Sequence, residues 1–68
     1  MSPDKMIYMA NQIATFFKTQ PGTDQAERVA SHLRDFWEPR MRQQLQDYVK
    51  GGGQGLDEVA VKAAQMLQ

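Results

Sequence analysis

Phe36-Trp37-Glu38-Pro39-Arg40-Met41-Arg42 lies near the middle of a 68-residue chain and decides how its neighbours fold. Pro39 lacks an amide donor and pushes the residue before it out of the helical region, so a helix arriving from the N-terminal side stops near Trp37. The same ring suits the first position of a new helix, where no intrahelical amide bond is required. The stretch reads as a corner between two helices. It also carries the only tryptophan of the chain and two arginines. Large aromatics and arginine are enriched where a partner buries a surface. Phe36, Trp37, Arg40 and Arg42 are therefore the candidate docking residues, although a tryptophan beside a helix-breaking proline equally suits a core.

Working back from the corner, Ala26, Val29, Ala30, Leu33, Phe36 and Trp37 recur at three- and four-residue spacing, the pattern of one buried helix face. Thr23 is placed to cap this helix, with Asp24 in its first turn and Asp24–Arg28 paired one turn apart. Gln20-Pro21-Gly22 separates it from an earlier helix. That helix starts at Ser2-Pro3-Asp4, a capping hydroxyl, a proline and an acid for the helix dipole. Its apolar face is Met6, Met9, Ala10, Ile13, Phe16 and Phe17, widened by Ile7 and Ala14.

Forward from the corner, Pro39 opens a third helix with Met41, Leu45, Tyr48 and Val49 facing inward. Gly51-Gly52-Gly53 ends it, because consecutive glycines lose too much backbone entropy in a helix. Asp57 then caps a short last helix, preceded by Leu56, which can staple onto Val61. Val59, Ala60, Ala63, Ala64 and Leu67 give that helix a face of mostly small residues, with Glu58 and Lys62 outside. An Ala-rich helix of this length must pack on something or fray. No strand-like alternation appears. The expectation is a single all-α domain over residues 1–68, a small bundle of three to four helices.

Composition narrows the function. Eight basic residues balance eight acidic ones, whereas a nucleic-acid binder usually shows a basic excess or face; this disfavours a nucleic-acid reading built on Arg34, Arg40 and Arg42. Asn11 and Gln12 interrupt the first helix, so neither a signal peptide nor a membrane span is expected, and the cytoplasm is the expected location. With no cysteine, disulfides, thiolate chemistry and cysteine-ligated iron–sulfur clusters are excluded. A domain this small often needs support beyond its own core, and a partner chain is the support that remains.

The chemistry-bearing motifs are weak. Gly51-Gly52-Gly53-Gln54-Gly55 lacks the preceding strand and the Lys-Ser/Thr of a phosphate loop, and Asp57 would repel a phosphate, so the run reads as a flexible hinge. His32 is the only histidine, with Arg28 one turn before it and Asp35 one turn after, too few donors for a metal site, so it reads as a hydrogen-bonded or solvent-edge histidine beside the apolar stripe. Ser2 and Ser31 have no evident activating base. Met6 and Met9 read as core filling, with methionine's adaptability at interfaces as the alternative. No catalytic, cofactor-binding or metal-binding residue is expected in this chain.

Taken in order, Met9-Ala10-Asn11-Gln12-Ile13-Ala14, Phe16-Phe17, His32-Leu33, Phe36 to Arg42 and Gly51 to Leu56 resemble the delta subunit of soluble, NAD-dependent, molybdenum-containing formate dehydrogenases. The resemblance runs from about Lys5 to Leu67 and departs after Leu56, where the family pattern leads us to expect a proline and Asp57-Glu58-Val59 stands instead. It implies a non-catalytic accessory subunit of a bacterial complex that oxidises formate and passes electrons to NAD. On that implication the molybdenum bis-guanine-dinucleotide cofactor, the iron–sulfur clusters and FMN belong to partner subunits, and this chain docks on the catalytic alpha subunit to support assembly, stability or cofactor insertion. The alternative is a free-standing homodimeric assembly factor that leaves the mature enzyme.

Overall fold

The computed structural model describes residues 2–67. Four helices follow one another, α1 (Pro3–Lys18), α2 (Gln25–Phe36), α3 (Pro39–Lys50) and α4 (Glu58–Gln65), with no strand among the described residues. Helix α1 starts as its sequence requires: the Ser2 Oγ accepts from the Lys5 amide at 3.3 Å and Pro3 opens the first turn. Its buried line is Met6, Ala10 and Ala14, with Ile7, Met9, Ile13 and Phe17 partly covered. The expected face is thus rotated toward Ala14, and Phe16 is left 59% exposed.

Helix α2 begins one residue later than expected. The Asp24 carbonyl accepts the first helical bond, from the Arg28 amide at 3.0 Å, so Asp24 rather than Thr23 holds the cap position. The Asp24 carboxylate does not cap the helix; it takes the Arg28 Nε at 3.1 Å. This pairing holds the Asp24 carboxyl below its ordinary pKa. Val29, Ala30 and Leu33 are buried on α2, whereas Phe36, read as part of the same stripe, is 73% exposed.

At the corner Trp37 and Glu38 are both extended, with ψ near 140° and 152°, as the proline demands. The Trp37 amide still closes α2 on the Leu33 carbonyl at 2.9 Å. Pro39 then serves as the first residue of α3, which buries Leu45 and half-buries Met41, Tyr48 and Val49.

The glycine run is a pinned turn, which corrects the expectation of a flexible hinge. The Gly52 amide returns to the Val49 carbonyl and the Gly53 amide to the Tyr48 carbonyl, both at 3.0 Å. Those two bonds form a Schellman ending, which requires left-handed backbone just past the helix. Gly52 and Gly53 supply it with φ of 126° and 64°. Beyond them the Tyr48 hydroxyl donates to the Gln54 carbonyl at 2.6 Å. Asn11 on α1 reaches across to hold both ends of the next bend: its Nδ2 donates to the Gly55 carbonyl at 2.9 Å, and its Oδ1 accepts the Asp57 amide at 2.7 Å.

Asp57 caps α4 through the Val59 amide at 2.8 Å and pairs with Lys18 at 2.8 Å. The cap geometry is complete with Asp57-Glu58-Val59 where a proline was expected. Hydrogen bonding to Lys18 lowers the Asp57 pKa and raises that of Lys18. Glu58 and Lys62 form no ion pair with each other. Leu56 and Val61 both lie against Gly53, at 3.8 and 3.4 Å from where its Cβ would be. Short as it is, α4 packs on all three other helices. Ala60, Ala63 and Ala64 are buried there, and their small side chains let the neighbouring backbones approach. The Ala-rich helix is stabilised by being surrounded, since a helix of this length would be marginal in water. No described helix is long and apolar enough to cross a membrane.

Candidate functional site

The four corner residues do not form one surface. Trp37 is only 6% exposed and belongs to the core, alongside Leu33 and Leu45. Arg42 points back at α2: its Nη1 donates to the Arg34 carbonyl at 2.8 Å and to the Trp37 carbonyl at 3.0 Å. A helix leaves its last carbonyls without intrahelical partners, and a cation there also meets the negative end of the helix dipole. Arg42 therefore fastens the corner. Phe36 and Arg40 are the two candidates that face solvent, and Arg40 makes no ion pair with a described residue.

Arg34 has a similar task that its sequence position did not announce. Its Nη2 donates to the Met66 carbonyl at 2.9 Å, at the C-terminal end of α4. Two of the three arginines considered for nucleic acid thus hold helix ends together. They do so with three hydrogen bonds to backbone carbonyls, made by guanidiniums that stay in contact with solvent.

Phe36 does have company, but on the other side. Its ring stacks on His32 with centroids 4.6 Å apart at 33°. His32 meets the edge of Phe17 at 6.0 Å, and Phe17 meets Phe16 in a T-shaped contact at 5.1 Å. Phe16, Phe17, His32 and Phe36 thus form a continuous ladder of rings across α1 and α2. Such ring pairs stabilise by about 0.5–1.5 kcal/mol each beyond their area burial. His32 fills the gap between two phenyl rings at the solvent edge, and no described group of three potential ligands could hold a metal ion.

Two shallow clefts lie along the ladder, and Phe17 and His32 line both of them. One, of about 240 Å³, is bordered by Gln12, Ile13 and Phe16. The other, of about 280 Å³, is bordered by Arg28, Ser31, Asp35 and Phe36. Every buried side-chain nitrogen or oxygen among the described residues has a hydrogen-bond partner. What this face offers is apolar contact area with a polar border.

The matched family agrees with the residue pattern. The sequence model of the NADH-dependent formate dehydrogenase delta subunit, FdsD, matches residues 5–64 of the 68-residue chain. The chain belongs to the FdsD family. No curated protein and no solved structure matches it. Membership makes the chain a subunit of a formate dehydrogenase complex, and a subunit implies partner subunits. The matched span contains all four ladder rings, the Asn11 clamp and the whole glycine turn of this FdsD chain.

Proposed function

We propose that the chain is a non-catalytic accessory subunit that docks on the catalytic alpha subunit of a cytoplasmic, NAD-dependent formate dehydrogenase and supports its assembly, stability or cofactor insertion. The observation that carries this reading is the ladder. A chain of 68 residues leaves Phe16 and Phe36 59% and 73% exposed on adjoining helices, while a tryptophan and three alanines of α4 are buried. Large exposed rings gathered on one face mark a surface that a partner covers. The redox groups, namely molybdenum bis-guanine-dinucleotide, iron–sulfur clusters and FMN, are assigned to partner subunits. The donor set here supports that assignment, since the sequence has no cysteine and a single histidine wedged between rings.

The homodimeric assembly factor is the competing reading, and stoichiometry separates the two. A tag on this chain should recover the alpha subunit at one-to-one ratio from a strain making the whole complex, through to the active enzyme. Recovery of the chain only with itself, or only with an immature alpha subunit, would refute the accessory-subunit reading.

A further inference from the structure

We infer that the α1/α2 aromatic face seats an amphipathic helix of the alpha subunit, which places one apolar side chain in each of the two clefts that Phe17 and His32 line. The inference rests on the docking reading above and names its surface and the chemistry of its partner. Its first support is size. A phenylalanine buries about 150–250 Å² when covered, so the exposed fractions of Phe16 and Phe36 leave about 200–330 Å² between them. Even with the edges of Ile13, Phe17 and His32, the patch stays well below the roughly 800 Å² per partner of a stable interface. Paired with a second copy of itself it would be too small to hold a dimer; as the anchor within a larger subunit's contact it is ample.

Shape is the second support. The described chain has no sheet edge to which a strand could be added, whereas neighbouring clefts lined by two helices suit the spaced anchors of an amphipathic helix. Side chains three or four residues apart on such a helix stand about 5–6 Å apart at Cβ. That spacing lets two neighbours enter neighbouring clefts. Charge is the third. Arg28 at the border is already paired with Asp24, whereas Asp35 makes no ion pair with a described residue. The border of the second cleft is thus acidic in effect, and the incoming helix carries a Lys or Arg beside its second apolar anchor.

The test measures the affinity of the intact chain for purified alpha subunit, comparing wild type with Phe16→Ser, Phe36→Ser, their double variant and Asp35→Lys. Each Ser variant should weaken binding by about 10-fold or more, the range of an interface anchor. The double variant should weaken it further, and Asp35→Lys should weaken it and remove much of its salt dependence. Circular dichroism should be unchanged, because both rings face solvent. If wild type binds and the double variant binds equally well, the face assignment is overturned while the docking reading stands. Wild type that does not bind at all overturns the docking reading itself. Sedimentation equilibrium of the isolated chain should show a monomer; a dimer abolished by Phe36→Ser would mean that a second copy occupies the face.

Discussion

Replacing Asn11 with alanine tests whether the clamp between α1 and the start of α4 stabilises the fold. The side chain makes two hydrogen bonds, to the Gly55 carbonyl and from the Asp57 amide. Only one amide orientation satisfies both, because the carbonyl must meet the NH₂ and the amide must meet the oxygen. Each bond contributes about 1 kcal/mol net, so their loss removes about 2 kcal/mol. Alanine is the better helix former and returns about 0.5 kcal/mol, leaving a net loss of about 1.5 kcal/mol. In a domain of this size that corresponds to a fall in melting temperature of about 6–12 °C. Thermal unfolding followed by circular dichroism reads it directly. Asn11→Asp keeps an acceptor for the Asp57 amide but loses the donor and sets a second carboxylate beside Asp57, so it should melt no higher than Asn11→Ala. An Asn11→Ala protein melting at or above wild type would mean that the clamp adds nothing and that helix propensity alone outweighs it.

Gly53→Ala should cost about 1–2 kcal/mol, the penalty of a left-handed residue with a Cβ, whereas Gly51→Ala, at φ −84°, should be neutral or slightly stabilising in the same melts. Arg42→Ala frees two carbonyls at the end of α2 and should lower stability by about 1–2 kcal/mol in urea titration, while Arg40→Ala should stay within about 0.5 kcal/mol of wild type. Asp57 has a folded pKa below its ordinary 3.8, so its contribution is present above that value and is lost as pH falls through the lowered one. Lys18 is raised above 10.5, so its contribution is present below that value and is lost as pH rises through the raised one. Melting temperatures should therefore be level between these limits, and Asp57→Asn, which keeps a capping oxygen, should reduce the acid slope without abolishing it, because Asp24 is also lowered.

The helices and their order were legible because their punctuation is local. Ser2-Pro3, Pro21-Gly22, Pro39 and the glycine run each act within a few residues, and all fall at or beside helix ends. Phe16 shows where periodicity stops being informative. Adjacent residues on a helix point about 100° apart, so Phe16 and Phe17 compete for one buried direction, and contact with the rest of the fold decides the winner. Phe36 and Trp37 pose the same problem at the corner, where the extended backbone of Trp37 turns its ring inward. The roles of Asn11, Arg34 and Arg42 depend on partners 44 and 46, 32, and 8 and 5 residues away respectively. Asn11 alone gave a hint, as a polar residue four after Ile7 and three before Ala14 on the apolar side of α1. The ladder itself was out of reach, because its members read separately: Phe16 and Phe17 as one apolar face of α1, His32 as a solvent-edge residue, and Phe36 as both stripe and docking candidate.

Hydroxyl-radical footprinting of the chain, free and within the purified complex with the alpha subunit, shows whether a partner covers the aromatic face. Aromatic rings react where radicals reach them, and protection reports what a partner covers. Phe16 and Phe36 should be reactive in the free chain and strongly protected in the complex, while Trp37 stays unreactive in both and Met66 changes little. Equal reactivity of Phe16 and Phe36 in the two states would contradict docking through this face.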